Sequence, residues 1–214
     1  MSTLICFALK EEAAPFQKIV AGKSGISILI VGIGRENAEK SVRSFLAGEA
    51  GMLAPPSLVL TCGFAGGLNP DLKLGEVAFE TVDEILRAKL LAAGAKPAMI
   101  HCADRIATTV AEKQALRAET GAEAVEMESA AIQAVCAGRG IPCATVRVIS
   151  DTADEDLPLD FNALSKADKS LDFGKLAWAI AKSPRKICAL MTLQKKTSFA
   201  AGRLAEVLVK ITSP

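Results

Sequence analysis

Ala122-Glu123-Ala124-Val125-Glu126-Met127 is followed by Glu128-Ser129-Ala130-Ala131-Ile132-Gln133-Ala134-Val135-Cys136-Ala137-Gly138, and then by Ala144-Thr145-Val146-Arg147-Val148-Ile149. A short apolar run gives way to an alanine-rich stretch of helical period closed by glycine, and then to a run rich in β-branched residues. Parallel strands buried on both faces by crossover helices produce this alternation, and the class it implies is α/β. The same alternation extends outward in both directions. Strands are expected near Leu4 to Leu9, Ile26 to Ile33, Leu58 to Phe64, Glu76 to Thr81, Ala98 to Cys102, Ala122 to Met127 and Ala144 to Ile149. Helices are expected over Glu11 to Val20, Glu36 to Leu46, Thr108 to Glu119, Glu128 to Gly138 and most of Phe161 to Ile211. From Ser183 onward the tail reads as two short helices parted near Lys196-Thr197, with Pro184 in a helical first turn. Ala54-Pro55-Pro56-Ser57 reads as a loop that delivers the third strand.

The 214 residues suit one domain spanning 1–214, long enough to bury a proper core. Half of them are hydrophobic and the net charge is +1, so basicity offers no argument for a nucleic-acid partner, and the expected partner is a small molecule. Cys6, Cys62, Cys102, Cys136, Cys143 and Cys188 form no CxxC pair, and most lie in apolar runs where cysteine acts as a small buried hydrophobe. That usage implies a reducing cytoplasm and no metal site. The opening run Leu4 to Leu9 suits a strand and not a signal peptide. No apolar stretch approaches the ~20 residues of a spanning helix, so no membrane span is expected.

Ligands of open α/β sheets collect beyond the carboxyl ends of the strands. Acids stand at three of those ends: Glu11 and Glu12, Glu126 and Glu128, and Asp151. Glycines stand at two others, in Gly32-Ile33-Gly34 and in Gly63-Phe64-Ala65-Gly66-Gly67. Carboxylates around a glycine floor suit a substrate that gains positive charge as it reacts. Taken singly, each feature also has a structural explanation. Glu11 and Glu12 are favoured by the dipole of a first helical turn, Asp151 can cap a helix, and His101 can be a buried strand residue. Gly32-Ile33-Gly34 lacks the last glycine of a dinucleotide fingerprint, because Asn37 occupies its place. No Gly-x-Ser-x-Gly elbow accompanies the single histidine, which argues against a serine hydrolase.

Gly63-Phe64-Ala65-Gly66-Gly67-Leu68, Val125-Glu126-Met127-Glu128-Ser129-Ala130-Ala131 and Arg147-Val148-Ile149-Ser150-Asp151-Thr152-Ala153-Asp154, in that order, closely resemble the nucleoside phosphorylase and nucleosidase superfamily. The motifs resemble those of the methylthioadenosine/S-adenosylhomocysteine nucleosidases and purine nucleoside phosphorylases. The resemblance implies a single-domain three-layer sandwich with a mixed, mostly parallel sheet, no cofactor, and a homo-oligomer, either dimer or hexamer. It implies that Glu12, in Ala8-Leu9-Lys10-Glu11-Glu12, activates water, that Glu128 binds the ribose hydroxyls and that Met127 packs beneath the sugar. It implies that Asp151 protonates the departing purine. Glu126, Phe64, Ala65 and Gly66 fall on the same substrate-binding segments.

The chain departs from the family at particular points. Phe64 stands where the nucleosidases usually have the serine of Gly-Ser-Ala-Gly-Gly, which removes a hydroxyl from the sugar or anion pocket. Between Gly75 and Val125 the chain is short, and Arg105 falls where an aromatic residue would stack on the purine. An arginine plane can also stack on a base. The alanine-rich helices and long tail resemble the hopanoid-associated phosphorylases, whose implied substrate is an adenosyl-lipid. Cleaving the C1′–base bond leaves an oxocarbenium-like sugar and a base that gains electrons, so a cation must be stabilised and an anion neutralised. The resemblance implies an adenosine-type nucleoside as substrate, and Glu12, which would place negative charge where a phosphorylase has to hold an anion, makes hydrolysis the expected activity. Phosphorolysis with phosphate as co-substrate requires Arg35 to offset Glu12, and a catalytically silent nucleoside-binding protein is the alternative of another class.

Overall fold

The computed structural model describes residues 2–49, 55–164, 166, 174–175, 183 and 185–212. Its strands are β1 (Thr3–Phe7), β2 (Ile26–Ile30), β3 (Leu58–Gly67), β4 (Val77–Glu80), β5 (Lys96–Pro97), β6 (Ile100–Cys102), β7 (Ala124–Glu126) and β8 (Cys143–Asp151). Its helices are α1 (Lys10–Val20), α2 (Arg35–Ser44), α3 (Glu84–Ala92), α4 (Val110–Thr120), α5 (Ser129–Ala137), α6 (Phe161–Leu164) and α7 (Arg185–Thr212). The strands form one sheet in the order β2-β1-β3-β8-β4-β5, with β7 joined to β3 and β6 joined to β7. Pairing is parallel except where β4 meets β8 and β7 meets β3. The sheet is mixed and mostly parallel, and the class is α/β.

Period-two alternation sorts the strand residues into two layers. Ile5 and Phe7 of β1 point to one face, where they join Phe16 of α1, Leu90 of α3 and Leu204 and Leu208 of α7. Leu4 and Cys6 point to the other, against Ala38 and Val42 of α2 and Ile132 and Val135 of α5. Helices therefore cover both faces, which is why the strands read as unbroken apolar runs. No described helix is long and apolar enough to cross a membrane.

The structure differs from the sequence reading at several elements. β3 runs to Gly67 and β8 to Asp151, past their expected ends, because Gly66 pairs with Val125 on one side and with Asp151 on the other. The glycine-rich segment is thus sheet and not loop. Helix α3 was not expected; Asp83 caps it by accepting from the Leu86 N–H at 2.9 Å, and Leu86 and Leu90 bury one face. In place of two short tail helices there is one, α7. The polar stretch at Lys196-Thr197 does not break it. The Thr197 hydroxyl donates to the Gln194 carbonyl of the same helix at 3.0 Å, and Lys196 pairs with Glu155, so both side chains are satisfied without leaving the helix. Much of the expected helix between Phe161 and Arg185 lies outside the described residues.

Candidate active site

A cavity of about 280 Å³ opens at the carboxyl ends of β1, β3 and β8. Glu12, Phe64, Ala65, Gly66, Glu126, Met127, Glu128 and Asp151 all line it, and Arg105 stands at its mouth. β1 and β8 deliver Glu12 and Asp151 in the way a parallel sheet predicts. Glu126 and Glu128 arrive by another route. β7 runs antiparallel to β3, with Val125 opposite Gly66, so the chain re-enters over the glycine-rich end of β3. Between Ala65 and Gly66 the register of β3 against β8 shifts, leaving Ser150 as the extra residue and turning Asp151 onto Gly66.

Close approach favours glycine at two of these contacts, most strongly at Gly63. A Cβ on Gly63, whose φ is +147°, would lie 2.8 Å from Glu12 Oε1 and 2.9 Å from Arg147 Nη1. One on Gly66 would lie 3.2 Å from Asp151 Oδ2. The floor is bare so that the acids can settle on it.

Glu12 is buried, and its two oxygens accept backbone N–H groups, Oε1 from Phe64 and Oε2 from Leu9, at 2.8 and 2.9 Å. Burial pushes its carboxyl up to about 7; the Phe64 N–H, Arg147 and the Leu9 N–H pull the other way, and Glu128 adds to the rise. Arg147 lies at the centre of the acids, fully buried. It pairs with Glu126, approaches Glu128 Oε2 at 3.4 Å and donates to the Thr61 hydroxyl at 2.9 Å. Glu128 also accepts the Gly34 N–H at 2.8 Å, which ties the Gly32 to Gly34 turn to the site. Burial raises the Glu128 carboxyl, Arg147 opposes the rise and Glu126 assists it. Burial also pushes Glu126 up, but Arg147, the Ser129 hydroxyl and the Glu128 and Ser129 N–H groups outweigh it, and the result lies below the usual range. Glu126 therefore serves as the anchor for Arg147 and for the start of α5.

Arg35 does not line the cavity. Its guanidinium donates to the Cys102 carbonyl and pairs with Asp104 at 3.1 Å. Arg105 pairs with Glu112, and its exposed side chain forms part of the rim. The wall beside it is apolar, made by Ile106, Leu157 and Phe161 with Leu193 of α7. Asn162 clamps that wall, accepting the Ile106 N–H and donating to the Ile106 carbonyl, both at 2.9 Å. His101, the single histidine, lies on β6 and is partly exposed.

Two charged residues escaped the sequence reading. Arg147 stood in the quoted motif and carried a signal, since a charge inside the apolar run of β8 requires a buried partner. Lys113 gave none. It sits on α4 at 0% exposure, with Nζ 2.7 Å from Asp151 Oδ2. The group facing Asp151 is thus an ammonium. Its other oxygen, Oδ1, accepts the Ser150 hydroxyl at 2.8 Å.

The sequence model of the Phosphorylase superfamily matches residues 78–182. The 5′-methylthioadenosine/S-adenosylhomocysteine nucleosidase of Actinobacillus succinogenes is 30% identical over 184 residues, which cover 70% of this chain and 77% of that protein. The chain belongs to the phosphorylase superfamily. An aminodeoxyfutalosine nucleosidase of Helicobacter pylori is 40% identical over 68 residues, 32% of this chain and 29% of the relative. Among solved structures, a futalosine hydrolase of Helicobacter pylori has the same fold, with a TM-score of 0.72 at 20% identity, covering 99% of this chain and 97% of that one. A 5′-methylthioadenosine/S-adenosylhomocysteine nucleosidase of Neisseria meningitidis, in complex with methylthio-immucillin-A, gives 0.71 at 19% identity over 98% and 97%. Within the superfamily frame, the cavity lies where the glycine-rich end of β3, the Val125 to Glu128 motif and the Ile149 to Asp151 motif converge.

Proposed function

We propose that the chain is a nucleosidase that hydrolyses the N-glycosidic bond of an adenosine-type nucleoside and releases the purine base. In this reading the sugar lies over Met127 with its hydroxyls on Glu128, and the base lies toward Asp151. Asp151 delivers a proton to the departing base while the C1′–N electron pair moves onto that base. Glu12 orients a water, takes its proton as the oxygen bonds to C1′, and places negative charge beside the cationic sugar. The relatives that carry the name nucleosidase support the reaction class. No cofactor is needed. A reducing cytoplasm accords with the free thiols of the described cysteines, and a homo-oligomer, dimer or hexamer, accords with the family's habit.

The observation that carries water over phosphate is the hydrogen bond from the Phe64 N–H to Glu12 Oε1 at 2.8 Å. A phosphate dianion needs several free donors. Here the backbone donor of the glycine-rich end of β3 is committed to a carboxylate, Phe64 replaces the expected hydroxyl, and Arg35 and Arg147 are held by acids and carbonyls. Water needs one carboxylate within reach. The test is to incubate the protein with 5′-methylthioadenosine in phosphate-free buffer and again with millimolar phosphate, identifying the sugar product. Adenine release without phosphate, leaving a free reducing sugar, is expected. A sugar 1-phosphate formed only with phosphate sinks the reading, and failure to release base from any adenosine derivative favours a silent binding protein.

The same assignment sets a pH dependence. Glu12 must be ionised to accept the proton of water, and burial raises it to about 7, so the charged form is lost as pH falls through that value. kcat/KM on this limb therefore levels off only above about pH 8, is about half-maximal near 7 and approaches a tenfold decline per pH unit below about 6. A profile still flat down to pH 5 rules Glu12 out as the base.

A further inference from the structure

The buried Lys113 belongs to no motif and is not needed by the chemistry above, yet it directly touches the residue assigned to protonate the base. An ammonium has three donors. All three find acceptors here: Asp151 Oδ2 at 2.7 Å, the Thr152 carbonyl at 2.6 Å and the Glu155 carbonyl at 2.9 Å. Lysine is almost never fully buried unless paired, because desolvating its charge and freezing its long stem both oppose folding. The fold nevertheless keeps it there. The segment after β8 is arranged around it: the Leu157 N–H donates to the Thr108 carbonyl at 2.8 Å, the Val110 N–H donates to Asp156 at 2.7 Å, and Lys196 of α7 pairs with Glu155.

We propose that Lys113 is a positioning residue for leaving-group departure: it fixes the Asp151 carboxyl through Oδ2 and stabilises the carboxylate formed when Asp151 gives up its proton. This rests on the reading of Asp151 given above. Electrons and protons balance without a further reactant. The C1′–N pair goes to the base, and the proton passes to the base nitrogen from Asp151 Oδ1, where it can rest against the Ser150 hydroxyl while that hydroxyl donates to the Ala65 carbonyl; the negative charge now on Asp151 meets the Lys113 ammonium, whose own protons stay on Nζ. The cavity then carries its charges in opposite senses along the scissile bond. Glu12, Glu126 and Glu128 outnumber the Arg147 guanidinium on the sugar side, where positive charge develops. On the base side, where negative charge develops, the Lys113 ammonium stands behind the acid. Opposed fields of this kind, set before the reaction, lower the barrier without reorganisation.

The experiment is a double-mutant cycle between Lys113→Met and Asp151→Asn, read as kcat and KM on 5′-methylthioadenosine, with thermal unfolding of every variant. Lys113→Met is expected to lower kcat at least about tenfold while KM stays within about threefold, because only charge developing in the transition state is affected. In the Asp151→Asn background, where no carboxylate forms, the same change is expected to cost less than about threefold. Lys113→Arg is expected to recover most of the lost kcat. If Lys113→Met does not fold, Lys113→Gln replaces it: it keeps a donor without the charge and is expected to show the same loss of kcat. Unchanged kcat in the uncharged variant, or an equal loss in both backgrounds, overturns the proposal. Wild-type turnover by Asp151→Asn alone overturns the reading on which it rests.

Discussion

Asp151→Asn is expected to fold, to bind adenine with near-native affinity, and to turn over 5′-methylthioadenosine about a hundredfold or more slowly than the parent. The structure says why the fold should tolerate it. Asp151 accepts on both oxygens, from Lys113 Nζ at 2.7 Å and from the Ser150 hydroxyl at 2.8 Å. An amide can still accept from the ammonium. Its NH2 group then faces Ser150, whose hydroxyl can accept from it while donating to the Ala65 carbonyl, already 3.3 Å away. What the amide cannot do is give a proton to a departing base. The check is steady-state kinetics beside adenine binding by calorimetry. Turnover within a few-fold of the parent would mean that another group protonates the base, or that it leaves unprotonated.

Arg147→Met is expected to cost about 3–5 kcal/mol of folding stability, because removing one partner of a buried ionic cluster leaves the others charged and unpaired. Arg147 is 1% exposed, and it answers Glu126, Glu128 and the Thr61 hydroxyl at once. Without it, two glutamates face each other at the end of β7 with only backbone and hydroxyl donors to hold them. A domain of ordinary stability, about 5–15 kcal/mol, would lose a large share of its margin. The loss is read as the shift in urea midpoint at unchanged slope, and a shift worth less than about 1 kcal/mol would show that the cluster contributes little to folding. Hydrolysis should fall as well, since Glu128 is aimed by the same guanidinium.

Both residues show how legibility divides in this chain. Asp151 could be read from its place after an apolar run and from the wording of its motif. Arg147 lay in that motif in plain view, yet its role depended on knowing that Glu126, 21 residues away, turns back over β3 to meet it. Lys113 was invisible for a related reason: in an amphipathic helix a lysine normally marks the solvated face. Only the loop after β8, folding back against α4, turns that position inward. Arg35 likewise has surroundings that the sequence does not display. A guanidinium beside a glycine turn suggests an anion site, but the Cys102 carbonyl and Asp104 reach it from β6 and the segment that follows.

Features that depend on neighbours a few residues away were legible in the chain: the α/β alternation, the two faces of each strand, and the acids and glycines placed at strand ends. Period two and period 3.6 are local properties, so a single chain displays them in full. The extent of β3 and β8, the continuity of α7 and the environment of every buried charge were decided only in three dimensions. Glu12 receives the Phe64 N–H across 52 residues, and Lys113 reaches the Thr152 carbonyl across 39. A buried charge takes its protonation and its role from whichever groups surround it, and those groups are brought together by sheet order and crossover, which local periodicity does not encode.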